Sequence, residues 1–200
     1  MRAVAVRLAD EVDRLAAELE AARARIVNLE ARIEIDPLTE TLNRRGFERE
    51  LKQALAYVQR YGVSAALVYV DLDEFKSVND RHGHAAGDAV LKACAATLTR
   101  NVRASDVVAR IGGDEFVVLL WNVSEPDAVA KAAALEAAVY ARQVRWGKST
   151  LAVGASAGAA LIGPLDTPAE LLARADAAMY TRKAERRNCH SVIRAAVRNP

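Results

Sequence analysis

Residues 64–71 read SAALVYVD, an apolar run with no polar interruption until the acid that closes it. A half-exposed strand alternates apolar and polar residues, so an unbroken run predicts a central strand covered on both faces. The segments around it supply the covering layers. Residues 45–61 place Phe47, Leu51, Ala54, Leu55 and Val58 on one helical face, and Gly62 stops that helix. Helical spacing returns at 85–98 and 125–143, while 107–111 and 115–120 are short β runs split by Gly112-Gly113-Asp114, a hairpin turn. Residues 151–162 alternate small and apolar residues as a strand. A helix is expected at 167–186, opened by a Thr167 and Glu170 capping box, and 191–197 is read as a last strand. The expected class is α/β (α+β), a mostly antiparallel central sheet flanked by helices.

A different pattern precedes this domain. Leu8, Val12, Leu15, Leu19, Ala22, Ile26, Leu29 and Ile33 recur at spacings of four and three. With Val12, Leu19, Ile26 and Ile33 at heptad position a and Leu8, Leu15, Ala22 and Leu29 at d, the seam predicts a parallel two-stranded coiled coil. Pro37 ends the helix, because the residue before proline is pushed out of the α region. The expected domains are a coiled-coil dimerisation helix over 1–35 and a globular domain over 36–200, hinged at 36–44.

Charge excludes some partners. The chain has 28 basic and 26 acidic residues among 200, a formal net charge of +2. No overall field draws it to nucleic acid or anionic lipid, so any anion site is local. Its apolar stretches are too short to span a bilayer and its N-terminus is charged where a signal peptide is apolar, which predicts a cytoplasmic chain with no membrane segment. Cys94 and Cys189 form no metal or disulfide pattern, and Cys94 falls on a helix's apolar face as a core thiol.

Two acidic clusters sit where strands stop: Asp71, Asp73 and Glu74 after the apolar strand, and Asp114 and Glu115 in the hairpin. If the two strands are neighbours, the carboxylates converge into an oxygen-rich site suited to Mg2+ and phosphate. Turns are also acidic simply because they are solvated, and spacing alone leaves both readings open.

The residues themselves resemble a known family. Arg110-Ile111-Gly112-Gly113-Asp114-Glu115-Phe116 is similar to the signature hairpin of the GGDEF domain family. Other stretches resemble that family in the same order: Asp36-Pro37-Leu38-Thr39 with Asn43-Arg44, Asp71-Leu72-Asp73-Glu74-Phe75-Lys76, Asn79-Asp80, Gly83-His84 with Gly87-Asp88, and Ala178-Met179-Tyr180 with Lys183. The resemblance implies a nucleotidyl-cyclase-like palm fold with a βαββαβ core. It also implies a diguanylate cyclase, which joins two GTP into cyclic di-GMP and releases two pyrophosphates, with two Mg2+ or Mn2+ per active site.

Site roles follow from the same resemblance. Asp71, the Leu72 carbonyl, Asp114 and Glu115 would hold metal, and Asp114 and Glu115 are both candidates for catalysis at the ribose 3′-hydroxyl. Glu74, Phe75 and Lys76 correspond to a phosphate loop, and Lys183 and Arg187 to a basic pair for the γ-phosphate. Asn79 and Asp88 correspond to guanine-reading positions and His84 to a pocket position. Taken alone, Asp88 reads as a helix N-cap, His84 as a surface histidine, and the basic pair as a solvated helix end. Arg103 and Asp106 form an RxxD before the hairpin, where the family's inhibitory product site lies. Two stretches depart from the family: Glu40-Thr41 stands where a glycine is common, and so does Arg186. The expected enzyme is a homodimer, since one site holds one GTP. The rival reading is a silent module that binds GTP or cyclic di-GMP and signals by conformation, to which an altered hairpin acid would have pointed.

Overall fold

The computed structural model describes the backbone of residues 2–30 and 34–197. Side chains 2–10, 13, 24, 27, 28, 30 and 187–197 fall outside the described residues, among them Leu8, Arg187 and Cys189, as does Ile33. The chain divides into two units, Met1–Glu34 and Ile35–Pro200. In the first, α1 (Arg2–Glu30) is one uninterrupted helix. Val12, Leu15, Leu19, Ile26 and Leu29 on it are each at least 51% exposed. Its polar side carries ion pairs of Arg14 with Glu11 and Glu18 and of Arg23 with Glu20, at the i,i+3 and i,i+4 spacings where side chains meet.

The second unit runs β1 (Leu42–Asn43), α2 (Arg44–Tyr61), β2 (Ala65–Leu72), α3 (Phe75–His82), α4 (His84–Arg100), β3 (Val107–Arg110), β4 (Glu115–Trp121), α5 (Glu125–Ala141), β5 (Gln143–Trp146), β6 (Ser149–Ala152), β7 (Ala155–Leu161) and α6 (Pro168–Val197). Five strands form one sheet in the order β1-β3-β4-β2-β7. Only the short β1–β3 pair is parallel; the other pairs are antiparallel. β2 is flanked on both edges, and every residue from Ala65 to Val70 is buried. On one face Val68, Val70, Leu72, Phe116 and Val118 pack with Val90 and Leu98 of α4 and Leu135 of α5. On the other, Leu67, Tyr69, Val117 and Leu119 pack with Phe47 and Leu51 of α2 and Leu171 and Met179 of α6. At about 25 cal/mol per Å2 of apolar surface removed from water, this two-sided core is the main source of stability.

The helix ends follow their sequence signals. Asn43 caps α2 by accepting from the Gly46 amide at 3.0 Å, and Gly62 closes it at φ 64°. Thr167 and Glu170 form the reciprocal capping box. Gly158 lets β7 touch α6, since a Cβ there would lie 1.9 Å from the Met179 amide nitrogen.

Four segments differ from the sequence reading. The helix expected to 143 ends at Ala141, and β5 and β6 form a separate hairpin whose two-residue loop opens on Gly147 at φ 57°. The strand expected over 151–162 is two strands parted at Val153 and Gly154. α3 was not anticipated, because its eight residues carry just two apolar side chains, Phe75 and Val78, partly buried against the core, which is too short a pattern to read. Residues 191–197 continue α6 instead of forming a strand. No glycine or proline interrupts 169–199, so nothing stops the helix despite β-branched Val192 and Ile193.

Candidate active site

The sheet register brings the two acidic clusters together. In the β2–β4 pair Asp71 lies directly opposite Glu115. Directly opposed residues point to the same face with Cβ atoms roughly 5 Å apart, so their carboxylates share one edge of the site. The Leu72 amide donates to the Asp114 carbonyl at 3.2 Å, which fixes the hairpin turn against the end of β2. Lys183 of α6 ion-pairs with Asp71, both side chains largely buried. Burial, and then the charge of Asp71, hold the Asp114 carboxyl above the ordinary range despite opposing pulls from Lys183 and Arg110.

Glu115 has its own restraints. The Tyr69 hydroxyl donates to Glu115 Oε1 at 3.0 Å. A Cβ at Gly112 would lie 2.1 Å from Glu115 Oε2, so the carboxylate sits in room that only glycine leaves. Burial, then the bond to Glu115, push the Tyr69 phenol well above its ordinary value, so it remains a donor. Arg110 donates to the Gly113 carbonyl at 2.8 and 3.1 Å and pairs with Asp36 at 3.3 Å. Asp36 also accepts from the Thr39 amide at 2.8 Å, so the Asp-Pro-Leu-Thr loop is tied to the hairpin.

The loop after β2 is anchored at Asp73. Its amide donates to the Gly154 carbonyl at 2.9 Å and its carboxylate accepts from Ser156 Oγ at 2.7 Å. Arg186 of α6 lies 3.8 Å from that carboxylate and 3.6 Å from Glu136 of α5. Glu136 is buried and also accepts from the Ala157 amide at 2.8 Å. Beyond Asp73, Glu74 takes a left-handed conformation at φ 55°, and Phe75 and Lys76 open α3. Turning the chain there directs these residues into a helix N-terminus, where backbone amides suit phosphate.

Asn79 lies on α3 against α4: a Cβ at Gly87 would meet Asn79 Oδ1 at 2.0 Å and Phe75 Cζ at 3.0 Å. His84 and Asp88 are exposed on α4, and Gly83, not Asp88, occupies its N-cap. The Arg187 side chain lies outside the described residues. Arg103 and Asp106 are placed apart from the acids, in the α4–β3 turn. Asp106 accepts from the Arg103 amide at 2.9 Å and the Trp121 amide at 3.1 Å, while Arg103 is exposed.

Residues 33–189 match the family described as diguanylate cyclase, GGDEF domain. The chain belongs to the GGDEF family. It is 42% identical over 149 residues to DgcE of Escherichia coli, a probable diguanylate cyclase, covering 74% of this chain and 14% of that protein. It is 39% identical over 186 residues to the diguanylate cyclase TpbB of Pseudomonas aeruginosa, covering 90% of this chain and 43% of that one. The chain thus spans less than half the length of these curated relatives. The coiled coil and GGDEF domain of DgcB from Caulobacter crescentus, solved with c-di-GMP, superposes with a TM-score of 0.73 at 28% identity, over 91% of this chain and 95% of that one.

Within this GGDEF domain, the carboxylates at the hairpin edge are Asp71 and Glu115 abreast and Asp114 next along the chain, with Lys183 and Arg110 beside them. Among the described residues no three His, Cys, Asp or Glu side chains are gathered as a finished cation cage. The donor chemistry nonetheless fits a hard ion such as Mg2+, which takes one or two carboxylates and completes its shell with water and phosphate. Sequence reasoning overlooked Tyr69, Ser156 and Glu136, and noted Arg186 only as a departure. Tyr69 reads as core filler within SAALVYVD, and the one available signal was its hydroxyl, since a buried phenol needs a partner.

Proposed function

We propose that this chain is the catalytic domain of a diguanylate cyclase that condenses two GTP into cyclic di-GMP with release of two pyrophosphates. The observation that carries the reading is the Asp71–Glu115 pairing on adjacent strands beside Asp114, in a domain of the GGDEF family. Asp71, the Leu72 carbonyl, Asp114 and Glu115 are the groups that would hold Mg2+. Bound there, Mg2+ would neutralise phosphate charge and lower the barrier to attack at phosphorus. Asp114, whose carboxyl is shifted toward the proton-holding side, accepts the proton of the 3′-hydroxyl. The 3′-oxygen bonds to the α-phosphorus of the second GTP, and the bond to the β-phosphate oxygen breaks as pyrophosphate leaves with its electron pair. A second such attack closes the ring.

Substrate contacts come from the surrounding elements. Glu74, Phe75 and Lys76 supply loop amides and an ammonium to the β- and γ-phosphates, joined by Lys183 and Arg187. Asn79 and Asp88 read the guanine edge, with His84 at the pocket rim. Each site holds one GTP, so two must face each other. Residues 1–35, whose α1 presents an exposed apolar seam, act as a parallel dimerising coil that raises the effective concentration of the second half-site. Leu15→Pro with Ile26→Pro lowers activity at low protein concentration. Arg103 takes a product phosphate and Asp106 a guanine edge, giving feedback inhibition; the DgcB structure with c-di-GMP supports a product site in this family. GTP as substrate places the domain in the cytoplasm, and no described helix is long and apolar enough to cross a membrane.

The test is incubation with GTP and Mg2+ followed by chromatography, beside an Asp114→Asn, Glu115→Gln variant. Cyclic di-GMP from the wild type alone supports the cyclase. No product from folded, dimeric protein freed of carried-over cyclic di-GMP moves the reading to a nucleotide-binding regulatory module.

A further inference from the structure

Tyr69 stands two residues before Asp71 on the same face of β2, and it is 8% exposed. Its ring fills the core between α2 and α6, a task that phenylalanine would do as well. The hydroxyl does something more, reaching across to β4 and donating to Glu115 Oε1 at 3.0 Å. Glu115 Oε2 meanwhile lies over the backbone of Gly112, where any side chain would collide with it. A glutamate side chain has three rotatable bonds, and freezing them on ligand binding costs conformational entropy. Here one oxygen is tethered and the other is seated against the hairpin before any ligand arrives. Asp71, directly opposite, is instead held from a different element, by Lys183 of α6.

We infer that Tyr69 is a positioning residue: its hydroxyl holds Glu115 in the pose in which that carboxylate meets a divalent cation. The inference rests on the proposed cyclase site. Tyr69 touches neither substrate nor the reacting atoms; it acts through Glu115, as hydrogen-bonded partners of metal-binding carboxylates generally do.

Tyr69→Phe removes the hydroxyl and keeps the ring, so the core stays filled. Binding of 3′-deoxy-GTP, which cannot cyclise, is titrated with Mg2+ by calorimetry in wild type, Tyr69→Phe, Glu115→Gln and the double variant. The Mg2+ concentration for half-maximal binding rises about tenfold in Tyr69→Phe. Affinity for the analogue at saturating Mg2+ and the thermal midpoint change little. In the Glu115→Gln background Tyr69→Phe adds no further Mg2+ requirement, because the residue acts through Glu115. With GTP itself, the apparent KM at limiting Mg2+ rises, and saturating Mg2+ restores it.

An unchanged Mg2+ requirement in Tyr69→Phe overturns the inference. So does a shift that persists undiminished beside Glu115→Gln, or one that only tracks lost thermal stability. The two readings fail separately. Wild-type protein that binds 3′-deoxy-GTP with Mg2+ but forms no product from GTP sinks the cyclase, while the binding titration still decides Tyr69; wild-type protein that does not bind it sinks both.

Discussion

Lys183 of α6 and Asp71 at the end of β2 form an ion pair with side chains only 18% and 16% exposed. The helix thus lends a cation to the acid that, in the proposed reaction, needs one. Asp71 would exchange the ammonium for Mg2+, freeing Lys183 to meet the γ-phosphate. The exchange has opposite effects on two ligands. Lys183→Gln removes the competitor for Asp71, so Mg2+ binding without nucleotide tightens about fivefold, the equivalent of roughly 1 kcal/mol for a pair of this kind. GTP binding weakens in the same variant. Isothermal titration with each ligand checks both signs, and weaker binding of both would mean that Lys183 mainly shapes the site.

Asp36 makes the hairpin sensitive to acid. Burial would raise its carboxyl, but hydrogen bonds from Thr39 and the charge of Arg110 outweigh burial and hold it below the ordinary value of 3.8. A carboxyl depressed in the folded state contributes stability in full above the unfolded value and loses it as pH falls through the lower, folded value. Asp36→Asn therefore lowers the thermal midpoint at pH 7 by about 3 °C, an effect of roughly 1 kcal/mol in a chain of this size. The gap to wild type narrows as pH falls below 3.8, where the unfolded chain begins to take up its proton, and on toward the lower folded value, where the folded carboxyl does. Thermal melts at both pH values test this; a gap constant with pH would assign the loss to geometry alone.

Gly158 is where the sheet meets the helix that carries Lys183. A Cβ would lie 1.9 Å from the Met179 amide nitrogen and 2.6 Å from the Ala175 carbonyl oxygen, and backbone atoms cannot rotate away. Gly158→Ala forces β7 and α6 apart and costs about 3 kcal/mol, the upper range for overpacking. Because the shift also moves Lys183, product formation falls at temperatures where the protein is still folded. Urea unfolding with an assay at low temperature separates the two effects.

The legible parts of this fold are those whose environment writes a pattern. β2 is covered on both faces, so its residues are apolar throughout, and its end is marked by Asp71. The hairpin is marked by Gly112 and Gly113, and pairing of the two strands sets Asp71 opposite Glu115. α3 was not legible, because an eight-residue helix whose apolar face is the single pair Phe75 and Val78 is too short to show a period. The β5–β6 hairpin was missed because the helical reading of the alanine-rich stretch before it was carried on to residue 143. At the site, the acids were readable by type, whereas their supports were not. Ser156 of β7 and Arg186 of α6 reach Asp73, and Glu136 of α5 pairs with Arg186, and such long-range contacts leave no local spacing to read.

Asp114 sets the cost of the site itself. Burial and the neighbouring charge of Asp71 disfavour its ionised form by more than Lys183 and Arg110 favour it. At neutral pH and without metal, an ionised Asp114 therefore works against folding, and stability is given up for function as is common where like charges are gathered. Asp114→Asn keeps the shape and removes the charge. The variant melts about 2 °C above the wild type in metal-free buffer, a modest gain for a chain of this size, and it forms no cyclic di-GMP. Adding Mg2+ raises the wild-type midpoint more than that of the variant, because the cation binds the folded state and relieves the repulsion that the variant no longer has. Differential scanning calorimetry with and without Mg2+ reads both differences. A variant less stable than wild type in metal-free buffer would show that the attraction of Lys183 and Arg110 for the Asp114 carboxylate outweighs its repulsion from Asp71, and the like-charge account of the hairpin would fall.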